Sequence, residues 1–164
     1  MASAATIICS GSREQYDEQK PILDVFGGTH HLSSSIGAAY QFDKMIYPFG
    51  YGATLGFVQG AAMAKASGYS IEAYTNILLE WMKPLPGRLE NFGGLVADED
   101  FTAYQATLGA WAAGYEKSLE LCQSLRVDDT LLNAHMSMLR KGVDEGYGDE
   151  EIIAVFKALL PKQG

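Results

Sequence analysis

Between Met45 and Ala64 the chain carries no charged side chain, and that run limits its possible folds more than any other feature. The surrounding stretch, Gly37 to Ser67 (GAAYQFDKMIYPFGYGATLGFVQGAAMAKAS), reads as one helix of about 45 Å at ~1.5 Å rise per residue. No face of its uncharged part can act as the solvated stripe of an ordinary amphipathic helix. Gly52, Gly56 and Gly60 recur every fourth residue and make a smooth ridge on which a second helix can approach closely. Pro48 removes one backbone hydrogen bond and crowds the carbonyl of Lys44, so a kink is expected near the turn that holds Asp43. Asp43 stands at the entrance to the apolar run, beside Lys44 and one turn before Tyr47. A carboxylate buried there unpaired would cost several kcal/mol. It should therefore reach solvent or have a task.

Such a run is long enough to span a bilayer, and small residues at this spacing also pack helices in membranes. Pro48, Thr54, Gln59 and the glycines, Gly50 included, argue against a span, as does the scarcity of flanking basic anchors. A helix buried at the core of an oligomer is the expected solution. The net charge of −8 disfavours nucleic acid, whose phosphates would repel the chain. Cys9 and Cys122 lie far apart with no ligand spacing and read as reduced thiols. The N-terminus lacks the pattern of a signal peptide, so a cytoplasmic location is expected.

Taken in order, Thr6 to Cys9 reads as a buried strand. Ser12 and Gln15 form a capping box for a helix from Arg13 to Phe26, with Tyr16, Ile22, Leu23 and Phe26 inward and Pro21 disturbing its middle. Gly27 and Gly28 should end that helix, and Thr29 to Leu32 returns as a second strand. Two strands leave edges that need cover, so residues 1–35 are expected to be the end of a larger α/β cofactor domain. Residues 36–164 read as helical throughout. Ser33 to Ser35 cap the long helix. A second helix spans Ile71 to Met82 behind Ser70, and Pro84, Pro86 and Gly87 interrupt it before a short piece from Arg88 to Val96. A third starts at Asp98 or Asp100 and reaches about Leu125, carrying Phe101, Tyr104, Leu108, Trp111, Tyr115, Leu119 and Cys122 at helical spacing. Asp129 caps a fourth over Thr130 to Glu145, with Leu132, Met136 and Leu139 inward and Gly146 ending it. Asp149 caps the last, which carries Ile152, Ile153, Phe156 and Leu159.

No dinucleotide-binding or triphosphate-binding loop follows a strand. His30 and His31 point to opposite faces of a strand and His135 is remote, so no metal site is expected. What remains is Asp43, Tyr47 and Tyr51, spaced i, i+4 and i+8 along one side of the long helix, with Trp81 and Trp111 elsewhere. An acid and a phenol in apolar walls suit proton donation to a basic nitrogen or a hydrogen bond to a carbonyl. The plainer alternative is a solvated helix-end carboxylate favoured by the helix dipole with packing aromatics. Spacing alone leaves both open.

The order of elements brings a family into view. ATIICSGSREQYDEQKPILDVFGG, GAAYQFDKMIYPFGYGATLGFVQGAAMA and GVDEGYGDEEIIAVFKAL resemble, over nearly the whole chain, the C-terminal half of NADPH-dependent imine reductases and reductive aminases. These are relatives of the β-hydroxyacid dehydrogenases in the 6-phosphogluconate dehydrogenase superfamily. The resemblance implies a mainly α fold of the 6-phosphogluconate dehydrogenase C-terminal type, centred on one long helix and preceded by a strand–helix–strand remnant. It implies that Asp43 falls where the family's aspartate protonates the imine or anchors the amine, and Tyr51 where reductive aminases carry an active-site tyrosine. Trp81 falls on a pocket-wall tryptophan, and Ala110 and Trp111 where the third helix lines the pocket. Hydroxyacid dehydrogenases show a lysine followed four residues on by asparagine; here Lys44 is followed at that offset by Pro48, which weakens that alternative. The resemblance further implies a homodimer in which two chains exchange helices, a small hydrophobic imine or carbonyl and amine as substrate, and NADPH in the intact enzyme. No residue of this chain is expected to hold that cofactor, so the chain alone should not turn over. The competing expectations are a non-catalytic helical dimerisation module and a membrane-inserted helix.

Overall fold

The computed structural model describes residues 5–103 and 105–162. It divides into two compact units, one up to Thr54 and one from Leu55 onward.

In the first unit, β1 (Ala5–Cys9), α1 (Arg13–Leu23) and β2 (Gly27–His31) precede the start of α2 (Ala38–Ala66). The strands pair in parallel from Ala5 opposite Gly27 to Cys9 opposite His31. A side chain at Gly27 would place its Cβ 1.8 Å from the Ala5 carbonyl oxygen, so the pair of glycines belongs to the strand and not to the end of the helix. Ser12 caps α1 as expected, its hydroxyl accepting from the Gln15 N–H. The helix stops at Leu23, three residues before Phe26, and a turn over 24–26 leads into β2. Tyr16 is buried and donates to Thr29 Oγ1 at 3.0 Å. Ile22 and Phe26, expected inward, are exposed, because a two-stranded sheet is too narrow to cover a full helix face.

The serines at 33–35 do not cap α2. They form a turn in which Ser33 Oγ accepts from Ser35 N–H, and Gly37 takes φ +93°. The cap comes from β1's far end: Ser10 Oγ accepts from Ala39 N–H at 3.1 Å. α2 then runs unbroken through Pro48 to Ala66, and none of its residues is buried.

The second unit contains the rest of α2, α3 (Ile71–Met82), α4 (Leu85–Ala97), α5 (Leu108–Ser124), α6 (Thr130–Gly142) and α7 (Val155–Leu159). Ser70 caps α3 as expected. α4 begins three residues earlier than Arg88 because Pro86 falls in its first turn, where the missing N–H costs nothing. α5 begins well after Asp98 and Asp100. Glu99 takes φ +53°, Asp100 Oδ1 closes a turn onto Thr102 N–H, and the true cap is Thr107, which accepts from Ala110 N–H. Phe101 therefore lies outside the helix, and Tyr104 lies outside the described residues. α6 ends at Gly142, three residues short of Glu145, and continues as a wide turn over Val143–Tyr147 in which Gly146 takes φ +95°. Asp129 stands at its N-cap without a side-chain capping bond, its Oδ2 accepting from Gln123 Nε2; Asp128 Oδ1 accepts from Thr130 N–H instead. Glu151, not Asp149, caps the last segment, a 3-10 turn over Ile152–Ala154 followed by α7. Its buried residues are Ala154 and Ala158, while Phe156 and Leu159 face outward.

The core of this unit is small. Leu119, Cys122 and Leu132 form one cluster with Met63, Tyr115 and Val127 against it. Gln59 of α2 donates to the Asp128 carbonyl at 2.9 Å, and Tyr74 of α3 lies over Gly60. Leu108, fully buried, packs against Gly142, where an added Cβ would come within 2.7 Å of its Cδ2. The loop beyond α6 braces the start of α5, with Leu108 N–H donating to the Glu150 carbonyl and Gly109 N–H to that of Gly148. Lys157 holds that loop, paired with Glu150 and flanked by the rings of Phe101 and Tyr147. Among the described residues no helix is long and apolar enough to cross a membrane, and no group of side chains could hold a metal ion.

Because Leu108 has no exposed surface, Leu108→Ala should lower stability by about 2–5 kcal/mol in urea unfolding. A loss well under ~1 kcal/mol would mean that this contact is not part of the core.

Candidate functional site

Asp43, Lys44 and Tyr47 meet on one turn of α2. Lys44 Nζ lies 2.9 Å from Asp43 Oδ2, 4.1 Å from the centre of the Tyr47 ring and 5.0 Å from that of Tyr40. Tyr51 extends the row, its ring edge-on to Tyr47 at 5.9 Å. The spacing of Asp43, Tyr47 and Tyr51 thus places them along one side, as expected. Lys44 and Tyr40 are the additions. An aromatic four residues before a lysine on a helix is the sequence signal for that contact.

The side chain of Asp43 is 44% exposed. The Lys44 ammonium holds its carboxyl below the ordinary carboxylate value; partial desolvation opposes this, and a hydrogen bond from Tyr47 reinforces it. Lys44 is pushed up in turn, first by Asp43 and then by Tyr47. A carboxyl in this setting is an anion at neutral pH. It can anchor a cationic nitrogen more readily than it can give up a proton.

The remaining candidates stand in the second unit. Trp81 is exposed on α3, with the Arg88 guanidinium 5.7 Å from the centre of its ring. Ala110 and Trp111 come together on α5 in a mostly apolar hollow of about 280 Å³, completed by Ala106, Gly114, Tyr115 and Ser118. Ala110, Gly114 and Ser118, small residues one turn apart on α5, are among its lining, a pattern visible in the sequence. The Tyr115 hydroxyl lies 2.7 Å from His135 Nδ1, and burial pushes its phenol up. Trp111 Nε1 is buried with no hydrogen-bond partner, at a cost of about 1–3 kcal/mol for a desolvated donor.

The turn after β1, where an α/β unit would cradle phosphates, spends its polar groups internally. Gly11 N–H donates to the Ser33 carbonyl, His31 Nε2 lies 3.0 Å from the Gly11 carbonyl oxygen, and the hydroxyls of Ser10 and Ser12 cap helices.

Comparison with known proteins places this geometry in context. The profile of the family described as NADPH-dependent reductive aminase-like, C-terminal domain, matches residues 35–160. An imine reductase from Pseudomonas sp. superposes with a TM-score of 0.87 at 24% identity, over 96% of this chain and 55% of its own. A reductive aminase from Aspergillus terreus, in complex with NADPH and ethyl levulinate, gives 0.87 at 23%, over 97% of this chain and 56% of its own. An imine reductase from Myxococcus stipitatus, in complex with NADP+, gives 0.85 at 22%, over 95% and 58%. At such identities the likeness is one of fold. The chain spans little more than half the length of these structures. A comparison with curated proteins finds no match.

The lowered carboxyl has a direct test. Its contribution to stability is present above the unfolded-state value and is lost as pH falls through the lower folded-state value. A carbon-detected NMR titration of Asp43 should give a midpoint below 3.8, and Lys44→Met should raise it. A midpoint at or above the ordinary value would contradict the ion pair.

Proposed function

Since the chain belongs to the NADPH-dependent reductive aminase-like C-terminal domain family, we propose that it is the substrate-pocket and dimerisation domain of an imine reductase or reductive aminase. The observation that carries this reading is the ionised Asp43 among tyrosines at the entrance to the charge-free run of α2. In the intact enzyme Asp43 anchors the positively charged nitrogen of an amine or iminium ion, and Tyr51 orients it by a hydrogen bond. Tyr47 stands beside that anchor on α2, and in the second unit Trp81, Ala110 and Trp111 supply the apolar side chains that set the size of substrate. NADPH supplies the hydride and is held by a segment outside this chain. Without that segment the chain binds amine but does not turn over.

A second copy of the chain completes the domain. Met45, Phe49, Leu55 and Val58 of α2 are each more than half exposed, large apolar side chains that a second copy would cover. Tyr74 already covers Gly60, but a Cβ at Gly52 or Gly56 would meet nothing within 4 Å. That open ridge is where the second copy's helix fits in an exchanged dimer.

Two outcomes follow. Mixing the chain with the separately made cofactor domain of a relative, NADPH and a cyclic imine should restore NADPH oxidation. Asp43→Asn should reduce it by about 10²-fold or more. A well-folded mixture that stays silent would favour a non-catalytic module. Gly56→Leu should leave the helical content of the chain intact and weaken its dimer by at least about fivefold, read by light scattering across a dilution series, since overpacking a close contact costs about 1–3 kcal/mol. An unchanged dimer would move the interface off this ridge.

A further inference from the structure

Lys44 sits where an amine would sit. A carboxylate oxygen at 2.9 Å and two phenol faces at 4.1 and 5.0 Å make up the surroundings that recognise an alkylammonium ion in general: charge on one side, ring quadrupoles on the others. Tyr40, Lys44 and Tyr47 stand at i, i+4 and i+7 of α2, so one helix face brings both rings to the lysine without help from another element. The groups acting on Asp43, namely Lys44 and Tyr47, also lie on α2. The lysine spans no tertiary gap and pins no second element, so the contact has no evident structural purpose in the chain.

We propose that the Asp43 carboxylate and the rings of Tyr40 and Tyr47 form a seat for an alkylammonium or iminium group, and that Lys44 fills this seat in the free chain as a built-in competitor. This rests on Asp43 being the nitrogen anchor. An incoming amine displaces the Lys44 ammonium, which swings out into water on its flexible stem. A tethered competitor lowers apparent affinity by the fraction of chains in which the seat is empty. It acts on cations only: a neutral ketone or aldehyde does not contend with it. Amine entry, rather than carbonyl entry, is therefore the step that Lys44 controls. Both side chains of the pair are a little under half exposed, so the restraint is mild. An exposed ion pair accounts for up to about fivefold, and each exposed ring contact for about two- to fivefold.

The test uses the full chain, propylammonium chloride as the probe and constant ionic strength. The affinity is read from the Asp43 carboxyl carbon by NMR, and the seat's occupant from the Lys44 Cε protons, which the two rings shift upfield. At saturation the Lys44 signals should move to the position of a free lysine. Lys44→Met should bind propylammonium about 3- to 10-fold more tightly than the unaltered chain, and Lys44→Arg should restore the competition. Lys44 signals that stay ring-shifted at saturation, or an affinity for Lys44→Met within about twofold of the original, overturn the proposal while leaving Asp43 as anchor. Equal binding by Asp43→Asn, or no binding by any of these chains, removes the anchor itself and the proposal with it.

Discussion

A helix that buries none of its residues against its own chain and lacks charge from Met45 to Ala64 leaves apolar surface that something must cover. At roughly 25 cal/mol per Å², each 100 Å² left in water forgoes about 2.5 kcal/mol, so several exposed large side chains on α2 together outweigh the marginal stability of a typical domain. The remaining elements fit that constraint. α3 lays Tyr74 over Gly60 and Gln59 reaches the Asp128 carbonyl, which anchors the C-terminal part of α2 to its own unit. The glycine ridge ahead of it, at Gly52 and Gly56, stays open.

The same helix shapes the chemistry. A carboxylate at the mouth of an apolar segment could serve as a proton donor or as an anchor, and the choice turns on its neighbours. Lys44 at 2.9 Å settles the electrostatics toward an anion. Both proposals, the anchoring of a cationic nitrogen and its contest with Lys44, start from that single ion pair. This chain spans little more than half the length of the solved relatives in complex with NADPH or NADP+.

Much of this was legible in the sequence where one local rule acted alone. The charge-free run fixed α2 to within a residue at either end, Ser70 fixed the start of α3, and the helical spacing of Leu108, Leu119 and Cys122 picked out buried positions of α5. The misreadings arose where two local signals competed or where a tertiary contact decided. Asp98 and Asp100 look like helix caps, yet Glu99 turns into the left-handed region and Thr107 does the capping. Gly27 reads as a helix stop, but its lack of a side chain serves a close approach to Ala5. Ser10 caps a helix that starts 28 residues on, at Ala38, and no local pattern could show this. In the site, the row Asp43, Tyr47 and Tyr51 followed from spacing. The lysine's place between Tyr40 and Tyr47 did not, because it depends on which rotamer a flexible side chain adopts.

The claim beneath all of this is that α2 is covered by a second copy of the chain. Sedimentation equilibrium of the unaltered protein at micromolar concentration measures it most directly. The account predicts a mass twice the 17.8 kDa of one chain, unchanged on moderate dilution. A single species at the mass of one chain would contradict it.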